Sequence, residues 1–378
     1  MLSLSLIVLA ALIGIFAYLF IPDHSPNANR QMLEIATRHP DFRVSMLKVH
    51  KNSPEVKSSF FSLLLNGTKS NFREIPLESW HFQGARIKLK VYDADNSGRE
   101  LTIDLADVVY PLIGKQKQIG NEVAFQSLDG KHHRILISQL QQAVIQHHLY
   151  RRTFYLGTDQ FGRDLLSRLL LGVRISLSVG FIAVAISLLV GILLGSLAGY
   201  YRGWVDELIM WFINVVWSIP TLLLVIAITF ALGKGFWQIF VAVGLTMWVE
   251  VARVVRGQML SMREEAFVEA GFSMGFSGLR IMGRHILPNI LSPVIVISAA
   301  NFASAILIEA GLSFLGIGVQ PPIPSWGNMI KEYYSFIVLH SAYLALIPGI
   351  AIVILVLAFM TLGNSLRDAM DVKLQHAS

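Results

Sequence analysis

The chain has 378 residues, of which 54% are hydrophobic and 15% are charged, and its formal net charge is +6. This composition is rare among soluble domains and predicts several membrane spans. The chain has no cysteine, which excludes disulfide bonds, thiolate zinc sites and thiol catalysis. The positive charge is mild and scattered, a pattern that argues against nucleic acid as a partner and leaves membrane lipid as the expected surroundings.

Residues 1–21 form an apolar run without a charged side chain, long enough to cross a bilayer. The run lacks the basic start and the small-x-small cleavage site of a signal peptide. We therefore predict an uncleaved transmembrane anchor helix, followed from Pro22 by a polar segment.

Residues 22–150 have the pattern of a small α+β domain inserted between the first and second spans. Basic and apolar side chains alternate along residues 86–91, as in a strand with one buried face. Asp129-Gly130 separates two strand-like stretches and predicts a hairpin turn. Residues 139–152 have a helical pattern, so the insert is expected to end in a helix.

Two histidine pairs lie in this insert, His132-His133 and His147-His148. Neighbouring side chains on a strand point in opposite directions, and no carboxylates are spaced around the pairs to complete a metal site. We expect a solvated surface here and no bound metal.

The loop before the second predicted span combines glycines with short acidic residues, which favour turns and helix caps. Its sequence, GTDQFGRDLLSR, resembles a signature found before the second span of bacterial peptide-importer permeases. We expect a structural role at the external entry of that helix, with a substrate contact as the alternative. The residues concerned are Gly157, Thr158, Asp159, Gly162, Arg163 and Asp164.

Five further apolar stretches bring the prediction to six transmembrane helices, so residues 151–378 are expected to form an all-α polytopic membrane core. Gly191, Gly195 and Gly199 recur every four residues, and such a face lets a second helix approach closely in lipid. Pro220 lies inside the third span and predicts a kink. The five stretches are residues 175–199, 208–232, 236–252, 290–315 and 342–362.

Two carboxylates fall within the predicted spans. Glu250 lies near the inner end of the fourth span, where Arg253 is three residues further along and is expected to pair with it. Glu309, in the fifth span, has no cation at helical spacing. It either lines the translocation path or forms a hydrogen bond within the helix bundle, and the sequence leaves both alternatives open.

A polar, basic segment at residues 261–289 separates the fourth and fifth spans. Ser261 and Glu264 have the spacing of a capping box, which predicts the start of a short helix. Gly275 permits a turn after it, and Pro288 is expected to end a second short helix. Two amphipathic helices at a membrane face suit docking to a partner, although an ordinary connecting loop has the same features. The apolar stripe of the first helix is Phe267, Ala270 and Met274.

This segment resembles the EAA loop in permease subunits of bacterial ABC importers. Gly271 stands where that family has a third small residue, an alanine. The resemblance extends over residues 156–372 and fits best the C-type permease of oligopeptide and dipeptide importers, with nickel and glutathione importers as related alternatives. The residues assigned to the coupling loop are Glu265, Glu269, Ala270, Gly271, Gly275, His285, Pro288 and Asn289.

The resemblance also implies the partners and the energy source. A second permease subunit, two ATP-binding subunits and an extracytoplasmic solute-binding protein would complete the transporter. The loop would then sit in a groove of an ATP-binding subunit. The chain itself has no Walker A motif and no persuasive catalytic constellation. We therefore expect no enzymatic activity and no bound cofactor, with ATP used by the partner subunit.

The distribution of positive charge among the loops predicts the orientation of the chain in the membrane. Six spans put both termini on one side, and the short loops on that side carry most of the arginines. The positive-inside rule then places both termini and the coupling loop in the cytoplasm of a bacterial cell, with the chain in the inner membrane. The insert at residues 22–150 is expected on the opposite, extracytoplasmic side.

Two hypotheses from other functional classes stay open at this point. A self-sufficient channel or secondary transporter would show paired intramembrane carboxylates or a long inverted repeat, and the sequence shows neither clearly. A membrane-anchored sensor or enzyme would carry its activity in residues 22–150. Neither hypothesis accounts for the coupling-loop motif.

Overall fold

The computed structural model describes residues 1–54, 59–93, 98–233, 235–339 and 341–375, with the backbone alone for residues 371–375. The chain divides into two units, which we call the core unit (Met1–Ile15 and Gly172–Ser378) and the inserted unit (Phe16–Leu171). The inserted unit is wider than the predicted insert of residues 22–150. It takes in the last turn of the first helix because Ala17, Tyr18 and Ile21 are buried with Ala28 and Leu171 in a small apolar cluster.

The helices and strands follow one another in two groups. The helices are α1 (Leu2–Phe20), α2 (Phe60–Asn66), α3 (Leu105–Val109), α4 (Ile137–Ala143), α5 (Leu165–Tyr201), α6 (Gly203–Trp217), α7 (Thr221–Leu232), α8 (Phe236–Met262), α9 (Ala266–Ser273), α10 (Gly278–Arg280), α11 (Leu291–Phe314), α12 (Trp326–Tyr333) and α13 (Tyr343–Gln375). The strands are β1 (Phe42–His50), β2 (Phe72–Gln83), β3 (Arg86–Val91), β4 (Glu100–Asp104), β5 (Lys117–Ile119), β6 (Glu122–Gln126), β7 (His132–Leu136) and β8 (Leu149–Phe154).

The strands of the inserted unit form two antiparallel sheets. The larger has the order β4-β3-β2-β1-β8, and the smaller has the order β5-β6-β7. The alternation predicted for residues 86–91 is confirmed, because Ile87, Leu89 and Val91 are buried in the core of the unit. On the other face of β3, Lys88 forms an ion pair with Glu100 of β4. The strand therefore has one buried face and one face that contacts solvent, as its sequence predicted.

The predicted hairpin is also present, whereas the predicted terminal helix is half wrong. Strands β6 and β7 pair on either side of Asp129-Gly130, with Gly130 at a φ of 82°. The helical pattern of residues 139–152 ends at His148, and Leu149–Phe154 becomes strand β8, paired with the edge of β1. Pairing with β1 satisfies the backbone of this stretch and buries Arg152 and Phe154 on one face.

The core unit is built from long apolar helices. Among the described residues, five helical stretches are long and apolar enough to cross a membrane: α1, α5, α8, Gly278–Phe314 and α13. The third predicted span is instead the bent pair α6 and α7, whose axes differ by 94°. Pro220 lies in the break, directly before α7, so its predicted kink takes the form of a complete interruption.

The glycines of α5 lie against α8. A Cβ atom added at Gly191 would come within 2.5 Å of the Val251 side chain, and one at Gly195 within 2.5 Å of the Ala252 carbonyl oxygen. At Gly199 the added atom would come within 2.7 Å of Met259. The three glycines therefore permit the close helix approach that their four-residue spacing predicted.

Candidate functional site

The segment between α8 and α11 begins differently from its prediction. Helix α8 continues to Met262, and the N–H of Glu264 donates to the carbonyl oxygen of Ser261 at 3.2 Å, as part of a turn. Helix α9 then starts at Ala266, with Glu265 in extended conformation at its N-cap. The capping box predicted from Ser261 and Glu264 is therefore wrong, because Ser261 still belongs to α8 and Glu264 lies in the turn that follows it.

Gly275 forms the predicted turn at the end of α9. Its φ of 75° is in the left-handed region that glycine tolerates without strain. The N–H of Phe276 donates to the carbonyl oxygen of Gly271 at 3.0 Å, and the N–H of Gly275 donates to that of Phe272 at 2.9 Å. These two bonds form a Schellman motif, which fixes where α9 stops and where the chain turns toward α10.

Pro288 does not end a second helix. The backbone passes from α10 through a wide π-helical stretch, Ile281–Ile286, and a 3₁₀ turn, Leu287–Ile290, directly into α11. Pro288 lies at the start of that 3₁₀ turn, where its missing N–H leaves no internal bond unmade. The side-chain amide of Asn289 donates to the carbonyl oxygen of His285 at 2.6 Å, within the same stretch.

The buried side of this segment shares one apolar core with the membrane helices. Val268 of α9 and Ile281 are fully buried, together with Val251, Val255 and Met259 of α8. His285 is half-buried and stacks on Phe276, with ring centroids 5.7 Å apart and planes 11° apart. The loop is thus a packed extension of α8 and α11.

The predicted apolar stripe of α9 faces away from this core. Phe267, Ala270 and Met274 are exposed, while the buried positions of the helix are Val268 and Gly271. Met274 is 64% exposed and Leu279 is 68% exposed. Several exposed apolar side chains within one short segment are typical of protein interaction surfaces. We call the following set the coupling face: Phe267, Phe272, Met274 and Leu279.

The residues assigned from the motif divide between this surface and the turn. Glu265, Glu269 and Ala270 are exposed along α9, and Pro288 and Asn289 are exposed at the far end of the segment. Gly271 is buried beneath α9, where an added Cβ atom would lie 3.5 Å from Ile281, an ordinary contact distance. The alanine usual in the family would therefore fit without a clash.

The arginines of the segment are largely held in place. Arg263 donates to the backbone oxygen of Tyr200 at the end of α5 and lies 5.4 Å from that ring. Arg280 lies over Phe276 at 4.1 Å. Arg202, just after α5, donates to Glu264 at 2.9 Å. These contacts join the base of α9 to α5 as well as to α8.

The signature loop before α5 has the opposite character. Thr158, Asp159, Arg163 and Asp164 are all buried in the inserted unit. Asp159 accepts the N–H groups of Phe161 and Arg163 at 2.9 Å, and its other carboxylate oxygen accepts from the Arg163 side chain at 2.5 Å. These polar groups bond to one another inside the unit, an arrangement that favours the structural role over the substrate contact.

Gly157 and Gly162 make the loop possible. Their φ values are 77° and 70°, in the left-handed region. A Cβ atom added at Gly157 would lie 2.1 Å from the Arg38 carbonyl oxygen, and one added at Gly162 would lie 1.7 Å from the Met32 carbonyl oxygen. Asp164 accepts the N–H of Ser167 at 2.7 Å, the bond expected of a cap before α5. Burial raises the pKa of Asp164 above its ordinary value, against the opposing effect of this bond.

The two intramembrane carboxylates have different surroundings. Glu309 is fully buried and accepts a hydrogen bond from Ser313 at 2.6 Å, which is the second of its two predicted roles. The predicted pair of Glu250 and Arg253 is not formed. Arg253 instead donates to Asn214 at 2.9 Å and lies 3.6 Å from the centroid of Trp217. Glu250 is exposed and lines a cavity of about 340 Å³ next to the break between α6 and α7.

No group of three or more His, Asp or Glu side chains suited to a metal ion occurs in the part of the chain that the structure describes. His148 of the second histidine pair is buried, and its Nδ1 is 2.8 Å from the Lys48 carbonyl oxygen, contrary to the solvated surface expected there. Burial lowers the pKa of His148, so this ring is neutral near neutral pH.

Known proteins resemble the chain in the region that contains the coupling loop. Residues 191–376 match the family of "binding-protein-dependent transport system inner membrane component" proteins. The glutathione transport system permease protein GsiD of Pectobacterium atrosepticum is 42% identical over 221 residues, which are 58% of this chain and 73% of that protein. The chain belongs to this family. It is a membrane permease subunit of an ABC importer, and ATP hydrolysis is left to partner subunits.

One further curated relative agrees with this assignment. The dipeptide transport system permease protein DppC of Alkalihalophilus pseudofirmus is 41% identical over 221 residues, 58% of this chain and 72% of that protein. Among solved structures, an inward-facing form of the MetNI methionine ABC transporter covers 54% of this chain and 97% of the matched chain, with 19% identity and a TM-score of 0.46. The family match of this permease, residues 191–376, does not include the inserted unit.

Proposed function

We propose that this permease imports peptides. Two of its relatives are named for glutathione and for dipeptides, and both solutes are short peptides. It would pair with a second permease subunit, two ATP-binding subunits and an extracytoplasmic solute-binding protein. Alternating access of the paired permeases would then move the solute across the membrane.

We further propose that the coupling face docks an ATP-binding subunit. The observation that carries this proposal is the exposure of four apolar side chains on a segment whose other side is buried. Glu265 and Glu269 border this face and would contribute charge to the docking. The turn after α9 and the path of the chain into α11 would be held by Gly275, His285, Pro288 and Asn289. Nucleotide-driven movement of the partner would then reach the membrane helices through the shared apolar core.

We propose six membrane spans, with the bent pair α6 and α7 counted as one. Both termini would lie in the cytoplasm, on the side of the arginine-rich loops, and the inserted unit would be an α+β domain outside the inner membrane. The cavity beside Glu250 is our candidate for part of the translocation path. Glu309 would act next to that path by holding α11 to the following loop through Ser313, which also accepts the N–H of Val319 at 3.2 Å.

The coupling proposal is tested by Glu269→Arg in the reconstituted transporter. Glu269 is exposed, so the charge inversion should change the stability of the chain by at most about 0.5 kcal/mol. We expect ATP-driven peptide uptake into vesicles to fall at least tenfold, an effect of about 1.4 kcal/mol. Membrane insertion should be unchanged.

Lys117→Glu is the matched control, because it inverts one exposed charge on β5 of the inserted unit. Uptake by this control should equal that of the unmodified chain. Normal uptake by the Glu269→Arg variant would show that this helix is not the coupling element. Equal loss in both variants would point to a general effect of charge.

A further inference from the structure

A second candidate site lies wholly within the inserted unit, far along the sequence from the coupling loop. A cavity of about 630 Å³ opens beside β1, β2 and β8. Among the described residues, five cations and one carboxylate line this cavity, so its wall carries a net positive charge. The cations are Arg30, Lys48, Lys69, Arg151 and Arg152, and the carboxylate is Glu74.

The one carboxylate is already engaged by donors of the unit. Glu74 pairs with Arg30 and, at 3.0 Å, with Arg152. Burial would raise the pKa of Glu74, but the nearby arginines outweigh burial and lower it below its ordinary value. Glu74 is therefore charged at neutral pH and holds the two guanidinium groups in place at the back of the cavity.

Arg152 retains an unused donor. Its side chain is only 9% exposed, and its Nη1 atom is the one bonded to Glu74. Its buried Nη2 atom has no hydrogen-bond acceptor among the described residues, although a buried donor normally has one. A buried guanidinium group with one unbonded nitrogen, in a cavity whose charged lining residues are mainly cations, suits an anion with several oxygens such as a phosphate group.

The cavity also lies beside the end of a membrane span. Pro22 and His24 are part of its lining, and α1 ends at Phe20. The 19 residues of α1 are mostly apolar, and an unbroken helix of that length measures about 28 Å, close to the thickness of the hydrocarbon layer. Pro22 is two residues beyond that end, at most about 8 Å along the chain. Part of the lining of the cavity therefore follows the end of α1 directly in the chain.

We propose that this cavity binds the phosphate headgroup of an anionic phospholipid in the leaflet where α1 ends. The fork of Arg152 receives the phosphate oxygens, and Lys48, Lys69 and Arg151 supply the surrounding positive charge. Lys48 is oriented over the ring of Tyr150, 4.5 Å from its centroid. The site does not depend on the transported solute or on the orientation of the chain in the membrane.

The test uses the full chain, purified in mild detergent and titrated with phosphatidylglycerol, phosphatidylcholine or inorganic phosphate, with bound molecules counted by native mass spectrometry. We expect one phosphatidylglycerol to be retained per chain and phosphatidylcholine to be lost. The double variant Lys69→Gln, Arg151→Gln removes two exposed charges of the rim without touching the buried pairs. It should bind phosphatidylglycerol about 25-fold more weakly, since a cation near an anionic membrane surface is worth about 1 kcal/mol.

The control is Lys117→Gln, Lys131→Gln, which removes two exposed charges of the same unit away from the cavity. Its affinity for phosphatidylglycerol should be unchanged. Equal retention of both lipids, or equal weakening by the two double variants, would overturn the proposal. So would displacement of the lipid by an equal concentration of inorganic phosphate, which would identify a site for a free anion.

Discussion

The two motif-bearing loops of this permease use their side chains in opposite ways. The loop from Gly157 to Asp164 turns its charged groups inward, where Asp159 pairs with Arg163 and Asp164 accepts the N–H of Ser167. The coupling segment turns apolar groups outward at Phe272 and Met274. Both loops resemble the same family, so resemblance alone does not tell a structural loop from a docking surface. Burial separates the two cases, because a side chain that is buried and hydrogen-bonded inside its own unit is not available to a partner.

The largest expected effect is on the buried loop. Asp159→Ala removes a carboxylate that accepts two backbone N–H groups and pairs with Arg163 and, at 3.8 Å, with Arg168. Two buried cations would lose their counter-charge. We expect the free energy of unfolding to fall by about 3–5 kcal/mol, measured as a loss of thermal stability in detergent.

The matched control for that change is Glu122→Ala, which breaks the exposed pair of Glu122 and Arg134 in the same unit. An exposed pair is worth at most about 1 kcal/mol. If both variants lose the same stability, the loop is not the internal structural element described here, and the contrast between the two loops fails.

A smaller effect is expected in the turn of the coupling segment. Gly275→Ala adds a methyl group that meets no atom within 4 Å, so its only cost is the left-handed backbone at φ 75°. That cost is about 1–2 kcal/mol. Thermal stability should fall by this amount and ATP-driven uptake should fall with it. A variant as stable as the unmodified chain would show that the Schellman turn is dispensable.

The smallest effect has the opposite sign. Gly271→Ala adds the same methyl group four residues earlier, inside α9, and restores the alanine of the family motif. The new atom would lie 3.5 Å from Ile281 and 3.7 Å from Phe276, at ordinary contact distances. We expect a gain of about 0.5–1 kcal/mol in thermal stability with uptake retained. A loss of stability would mean that the loop packs more tightly here than its contacts indicate.

Patterns with a strong period predicted the fold well. The alternation of residues 86–91 defined β3, and hydropathy located the membrane helices. Predictions from short local patterns were wrong where tertiary packing favoured a different structure. The capping box at Ser261 was overridden because α8 continues through it, and residues 149–152 left their helix because the edge of β1 was available for pairing.

The sequence predicted where the candidate site lies along the chain, but not which side chains form its exposed surface. The motif identified the segment around Glu269, but the stripe expected to pack inward faces out. Phe272 and Leu279, which complete the coupling face, were missed, although their apolar character in a polar segment was a usable signal. Nothing in the sequence connected Arg30, Glu74 and Arg152, because they are 44 and 78 residues apart and meet only through the sheet.

The contacts at the base of α9 have a mechanical consequence. Glu264 is bonded to Arg202, and Arg263 is bonded to the end of α5. The same helix α5 packs closely against α8 at its three glycines, which place no side chain of α5 in the contact. Under the docking proposal, a movement of α9 would act on α5 and α8 together, because hydrogen bonds and a shared apolar core join all three helices. The size of the movement that reaches the membrane helices would then depend on how firmly these contacts hold, as well as on the affinity of the docked partner.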